Sequence, residues 1–134
     1  MINTKKLLYF AYGTNLNKII FLKKYKNAKF VSKHILKGFE LVFRSKYRVP
    51  DIQRKNGSSV KGIIYEIDKT TEKKLDRYED YPKLYIKKFF KKNRKNVMYY
   101  FIKQKTPILK PAKYYLKVMK SGYRQNNYKF NLKY

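Results

Sequence analysis

The apolar run Leu7, Leu8, Tyr9, Phe10, Ala11, Tyr12 shows no polar alternation, which predicts a strand buried on both faces, and it stops at Gly13. Thr14, Asn15 and Asn17 are turn and N-cap residue types. Leu16, Ile19 and Ile20 then fall at i, i+3 and i+4 and predict a helix over Asn17 to Tyr25. Ala28 to Leu36 reads as a strand and Gly38 as a turn. Phe39, Leu41 and Phe43 alternate with Glu40, Val42 and Arg44 at the period of a half-buried strand. Lys46 to Ser59, with Pro50, Asp51, Asn56, Gly57 and two serines, is expected to be a long loop.

From Val60 to Ile67 the period is again two, with Ile63, Tyr65 and Ile67 on one face and Val60, Gly62 and Ile64 on the other. Gly62 predicts a bulge, a bend or a close backbone approach. The period then becomes helical. Thr70 or Thr71 is the expected N-cap, and the helix runs to Glu79 before Asp80, Tyr81 and Pro82 stop it. Two strands follow, Leu84 to Phe90 and Val97 to Lys103, joined by a turn at Lys92, Asn93 and Arg94. A last helix starts at Lys110-Pro111, presents Ala112, Tyr115, Leu116 and Met119 along one face, and ends at Gly122. Tyr123 to Tyr134 is expected to be a polar surface tail or edge segment. The pattern as a whole predicts one α+β domain over residues 1–134, a mixed sheet with three helices.

Composition narrows the chemistry. The chain has no cysteine, which excludes disulfides, thiolate metal sites and cysteine nucleophiles. No apolar run approaches the length of a membrane span, and MINTKK leads into the first strand without a signal-peptide core, so a cytoplasmic protein is the expectation. Charge adds a rival reading. With 35 Lys+Arg against 8 Asp+Glu the net charge is +27, and 15 Tyr with 9 Phe offer stacking surfaces, so nonspecific adhesion to polyanions is expected at low salt. The lysines are scattered through every predicted element, however, and no nucleic-acid signature accompanies them. Lone His34 reads as structural, and Arg44, Arg48 and Arg54 read as solvated charges or as ligands of a carboxylate.

Two places carry candidate chemistry. The strand–turn–helix junction at Gly13 directs backbone N–H groups at one point, which suits an anion or a polarised carbonyl. Glu79 lies four residues after Leu75 on the inward face of its helix, whereas Asp76 and Asp80 can point to water. The helix C-terminus and partial burial both raise a carboxylate pKa, which would make Glu79 a general acid and base near neutrality; pairing with a Lys or Arg is the competing reading.

The blocks YFAYGTNL, VKGIIYEI (Val60 to Ile67) and LDRYEDYPKLY (Leu75 to Tyr85), in this order and spacing, resemble the γ-glutamylcyclotransferase-like family, and PAKYYLKVMKSG (Pro111 to Gly122) resembles its C-terminal helix. The resemblance implies a small curved mixed or antiparallel β-barrel flanked by about three helices. It implies Glu79 as the acid/base, backbone amides of Tyr12, Gly13, Thr14, Asn15 and Leu16 around a γ-glutamyl group, and Tyr85 and Tyr115 near the pocket, without metal or cofactor. The implied reaction closes the glutamyl group on its own γ-carbonyl, releasing 5-oxoproline and an amine or amino acid. Two departures stand out: Thr14 where many relatives carry Ser, and Asp80 where a Gly often follows the glutamate. A γ-glutamylamine (isopeptide) cyclotransferase and a noncatalytic basic nucleic-acid-binding module remain as alternatives.

Overall fold

The computed structural model describes residues 5–132. Five strands, β1 (Lys6–Ala11), β2 (Lys29–Arg44), β3 (Val49–Asp68), β4 (Tyr85–Lys92) and β5 (Lys95–Ile102), form one mixed sheet in the order β2-β3-β1-β5-β4. Only the β1–β5 pairing is parallel. Three helices, α1 (Lys18–Lys24), α2 (Lys69–Tyr78) and α3 (Lys113–Gln125), accompany it. The sheet curls without closing. His34 on edge strand β2 stacks on Phe90 of the opposite edge strand β4 at 4.9 Å, and Lys92 donates to the Ser32 hydroxyl across the same seam.

Curling gives the sheet two apolar faces, so β1 is buried on both, as its unbroken apolar run predicts. Phe10, Tyr12, Ile64, Val97 and Tyr99 fill the concave side, and Tyr9, Ala11, Ile63, Tyr65, Met98 and Tyr100 pack with the helices on the other. Gly62 serves close approach: a Cβ there would lie 2.5 Å from the Ala11 carbonyl oxygen and 2.6 Å from the Phe10 ring. The β4–β5 turn has Asn93 and Arg94 at positive φ (51° and 68°), the two-residue hairpin geometry that matches strand twist.

Several sequence expectations are corrected. Residues 49–59 are not a loop; they extend β3 and pair with β2 from Lys37 to Arg44, so the actual turn is only four residues, 45–48. Gly38 and Gly57, both at φ 83°, mark an irregularity within this long hairpin and do not end a strand. Period alone misses this because the turn-forming residues of 50–58 sit on a bulged edge ribbon. In α1 the buried residue is Phe21, while Ile19 and Ile20 are exposed and Leu16 belongs to a preceding 3₁₀ turn. The N-cap of α2 is Asp68, whose carboxylate accepts from the Thr71 N–H at 2.7 Å.

Gly122 does not stop α3. It lies inside the helix because a Cβ would meet Leu16 Cδ1 at 2.4 Å and the Asn17 backbone N at 2.9 Å. The expected surface tail is likewise anchored: Tyr123 and Asn126 are buried, and the Tyr128 hydroxyl donates to the Gly62 carbonyl at 2.8 Å. The first four residues of MINTKK and the last two of the tail lie outside the described residues.

Candidate active site

A cavity of about 290 Å³ opens where the C-terminal end of β1, the start of β3 and the end of α2 meet. The turn after β1 contributes Tyr12, Gly13, Thr14 and Asn15, and the β2–β3 turn contributes Tyr47, Val49 and Pro50. Tyr78, Glu79 and Asp80 come from the end of α2, Leu84 and Tyr85 from the start of β4, and Tyr9, Phe10, Tyr100 and Tyr115 complete the wall. Of the residues singled out in sequence, six surround this cavity together with Glu79: Tyr12, Gly13, Thr14, Asn15, Tyr85 and Tyr115. Leu16 stands apart. Its side chain is buried in the core against Gly122, and its N–H is committed to the Gly13 carbonyl at 3.3 Å.

The turn is held from outside. Asn17 caps α1 by accepting from the Ile20 N–H at 3.1 Å, and it donates to the Val118 carbonyl of α3. Gln125 binds Asn17, and Asn126 donates to the Leu16 carbonyl. From inside, Tyr65 donates to the Asn15 carbonyl at 2.7 Å, and Asn15 Nδ2 donates to the Tyr9 hydroxyl at 3.0 Å. Among the described residues, the N–H groups of Thr14 and Asn15 donate to no protein acceptor. Gly13 has φ −101°, outside the left-handed region. It is glycine for space, since a Cβ would lie 3.1 Å from Pro50.

Glu79 is the C-cap of α2, with its N–H donating to the Leu75 carbonyl at 2.8 Å. The residue is partly exposed to the cavity, yet protein surrounds its carboxyl, and burial pushes its pKa up to about 7 against the opposing pull of the Lys24 ammonium. Lys24 sits at the helix end, 4.3 Å from the centre of the Tyr78 ring. The tyrosines around Glu79 stay neutral. Burial first, then the Glu79 charge, pushes the hydroxyls of Tyr9 and Tyr25 upward, while burial and the neighbouring Tyr85 do so for Tyr12. They are therefore hydrogen-bond donors at any ordinary pH.

Of the neighbouring acids, Asp80 points to water as expected and Asp76 does not. Asp76 does not face water: it accepts from the Tyr100 hydroxyl at 2.6 Å and pairs with Lys87 at 2.9 Å, a cation it shares with Glu72. Asp80 lies at the exposed mouth with φ 51°, a left-handed conformation that suits glycine and that aspartate tolerates. Arg44 is not solvated. It is buried, its Nε donates to the fully buried Asp51 at 2.8 Å, and it also reaches the Thr106 carbonyl and Gln53. Asp51 takes two further bonds, from Lys105 and from the Ile102 N–H, each 2.8 Å. This network lies one residue from Pro50, whose carbonyl accepts from the Tyr85 hydroxyl at 2.5 Å, so it fixes the wall opposite Gly13. Arg48 is exposed, and Arg54 lies over the Phe39 ring.

Sequence reasoning passed over Tyr9, Tyr78 and Tyr100. In an apolar run such as 7–12 or 97–102, a tyrosine carries the same period signal as a phenylalanine, and only the fold shows that its hydroxyl reaches a cavity.

The family profile described as "Gamma-glutamyl cyclotransferase, AIG2-like" matches residues 9–124. Among curated proteins none matches by sequence. Among solved structures, a "Gamma-glutamyl cyclotransferase" is similar with TM-score 0.77 and 22% identity, covering 91% of this chain and 80% of that one. An uncharacterized protein from Homo sapiens gives 0.75 and 23%, covering 90% and 80%. An AIG2-like protein from Mus musculus gives 0.59 and 22%, covering 83% and 82%. At such identities these structures establish the fold.

Proposed function

Because the chain belongs to the AIG2-like gamma-glutamyl cyclotransferase family, we propose that it is a cyclotransferase that releases 5-oxoproline and an amine or amino acid from a γ-glutamyl compound, with Glu79 as acid and base. The observation that carries this reading is one buried carboxyl, raised to about 7, facing the Gly13–Asn15 turn across a tyrosine-lined cavity. A carboxyl with that pKa exchanges a proton readily near neutrality.

In this reading the unpartnered N–H groups of Thr14 and Asn15, with neutral tyrosine hydroxyls, hold the glutamyl carboxylate and the γ-carbonyl oxygen. Glu79 takes a proton from the substrate α-ammonium. The freed nitrogen attacks the γ-carbonyl carbon of the same molecule, and charge builds on the carbonyl oxygen. Collapse of that intermediate breaks the bond to the leaving nitrogen, which receives the proton from Glu79, and the second proton of the ring nitrogen passes to the released amine, leaving a neutral lactam and an ammonium. Nucleophile and electrophile belong to one molecule, so the protein's work is to fold the glutamyl chain, relay protons between its two nitrogens and stabilise one oxyanion. Tyr115 and Tyr85 shape the walls, and Tyr9, oriented by Asn15, supplies a further donor. A single domain over 1–134 and a cytoplasmic location belong to the same proposal; no helix among the described residues is long and apolar enough to cross a membrane.

One observation favours the γ-glutamylamine variant of this chemistry. No Lys or Arg lines the cavity among the described residues, Asp80 stands at its mouth, and the nearby cation Lys24 acts on Glu79 itself. An uncharged or cationic amine suits that environment better than an amino acid does.

The test is 5-oxoproline release from γ-glutamyl dipeptides and γ-glutamylamines by the wild type beside Glu79→Gln. The expected result is turnover by the wild type, faster with the amines, and a loss of about 10² or more in the variant, the usual scale of general acid–base catalysis. A folded wild type that releases none from any member of the panel overturns the proposal.

A further inference from the structure

The fold sorts the charge in a way the sequence alone disguises. All eight acids lie between residues 40 and 80, and no Asp or Glu follows Asp80. Helix α3 lies in that acid-free stretch. Lys113, Lys117, Lys120 and Arg124 recur at i, i+4, i+7 and i+11, which at 100° per residue confines them to an arc of about 60°. All four are exposed, and none makes an ion pair among the described residues. Eleven residues of helix span about 16 Å, so four unit charges stand in line at about 5 Å intervals.

We propose that this exposed face of α3 is a docking strip for single-stranded nucleic acid, held through its phosphates. A line of unpaired cations with no interleaved acid complements a polymer that carries one negative charge per unit. Tyr114, 64% exposed and beside Lys113, offers a ring for a base, braced edge-on by Tyr115 at 5.6 Å. Lys61 over the Tyr123 ring and Lys120 over Phe130 widen the positive surface toward the C-terminal segment. An anionic membrane is a poorer partner. The apolar side of α3 is already buried in the core through Met119, Gly122 and Tyr123, which leaves no apolar face to insert. None of the four cations lines the cavity, whose wall the strip meets only where Tyr114 packs on Tyr115, and the strip does not depend on the reading of Glu79.

The experiment must separate a strip from the diffuse attraction of a +27 protein. Fluorescence anisotropy of a labelled oligothymidylate is titrated across salt concentrations with the wild type and two quadruple variants. One carries Lys113→Gln, Lys117→Gln, Lys120→Gln and Arg124→Gln. The other carries Lys83→Gln, Lys88→Gln, Lys91→Gln and Lys95→Gln, exposed residues elsewhere that remove the same charge. The strip variant is expected to weaken binding at least about tenfold near 0.1 M salt and to lower the log–log salt slope by about 3, four contacts at about 0.7 each for single strands. The control is expected to stay within about twofold, and Tyr114→Ala to weaken binding about tenfold with little change of slope.

Equal losses in the two quadruple variants overturn the proposal in favour of diffuse attraction. So does a wild type that binds phosphatidylglycerol vesicles but not the oligonucleotide. Circular dichroism checks the fold. If the strip quadruple is unfolded, the double variant Lys117→Gln with Lys120→Gln is expected to show about half the change in slope, and an unchanged slope there overturns the strip.

Discussion

Tyr65, on β3, donates its hydroxyl proton to the carbonyl of Asn15 at 2.7 Å. Burial holds that hydroxyl neutral and so keeps it a donor. The bond ties the rigid centre of the sheet to the turn that carries Thr14 and Asn15. A Tyr65→Phe variant leaves the ring stacked on Phe21 but strands the Asn15 carbonyl. Unfolding in urea is expected to show a loss of about 1–3 kcal/mol. If the turn holds the substrate, kcat/KM falls further than stability accounts for, with the oligonucleotide affinity unchanged.

With Glu79 in its proposed role, activity and stability are expected to depend on pH in opposite ways. Its folded pKa, about 7, lies above the ordinary 4.5, so between those values the folded chain binds a proton that the unfolded chain has released. Stability therefore falls as pH rises through this window, by about 3 kcal/mol in all, and it is recovered at low pH. Glu79→Gln is expected to be more stable than the wild type at pH 8 and equal to it near pH 4. The activity of the wild type is expected to fall about tenfold per pH unit below about 7 as the base is protonated. Thermal unfolding and initial rates across pH read the two effects. A variant no more stable than the wild type at pH 8 contradicts a buried Glu79 carboxyl.

Asp51 holds the wall opposite that turn. Removing its charge in Asp51→Asn leaves Arg44 buried without an anion, and such broken pairs lose about 3–5 kcal/mol. Arg44→Lys keeps a charge but cannot reach Asp51, Gln53 and the Thr106 carbonyl at once, so a smaller loss is expected. Thermal melts of the two variants give the order, and a melt of Asp51→Asn equal to the wild type contradicts the network.

Gly122→Ala separates propensity from packing. In an open helix the change gains up to about 1 kcal/mol. Here the new methyl meets Leu16 Cδ1 at 2.4 Å and the backbone N of Asn17 at 2.9 Å, and backbone cannot step aside cheaply. A net loss of about 1–3 kcal/mol is expected, the scale of overpacking. Because the strain falls on the chain that leads from the Gly13–Asn15 turn into α1, KM is expected to rise if that turn holds the substrate. Denaturant midpoints and steady-state kinetics on the same sample test both.

Much of the site was legible before the fold. Gly13 to Asn15 stand out because a strand that is apolar at every position ends there in turn-forming residues, and Glu79 stands out because it shares a helix face with Leu75. Tyr78 and Tyr100 were hidden because their signal is that of any aromatic. The role of Arg44 was hidden because its partner Asp51 lies across a hairpin whose second strand reads as a loop.

The sequence by itself determined the order of strands and helices, the blocks that identify the family, and the absence of thiol chemistry. These follow from residue type and from periods of 2 and 3.6, which are properties of a chain a few residues long. Only the tertiary structure decided that residues 49–59 extend β3 beside β2, that His34 and Phe90 stack across the open seam, and that Asp76 turns to Tyr100 while Glu79 lines the cavity. It also decided that the cationic face of α3 stays exposed and, among the described residues, without ion pairs. Burial, pairing and desolvation depend on atoms brought together from distant parts of the chain, and local pattern carries no record of those neighbours.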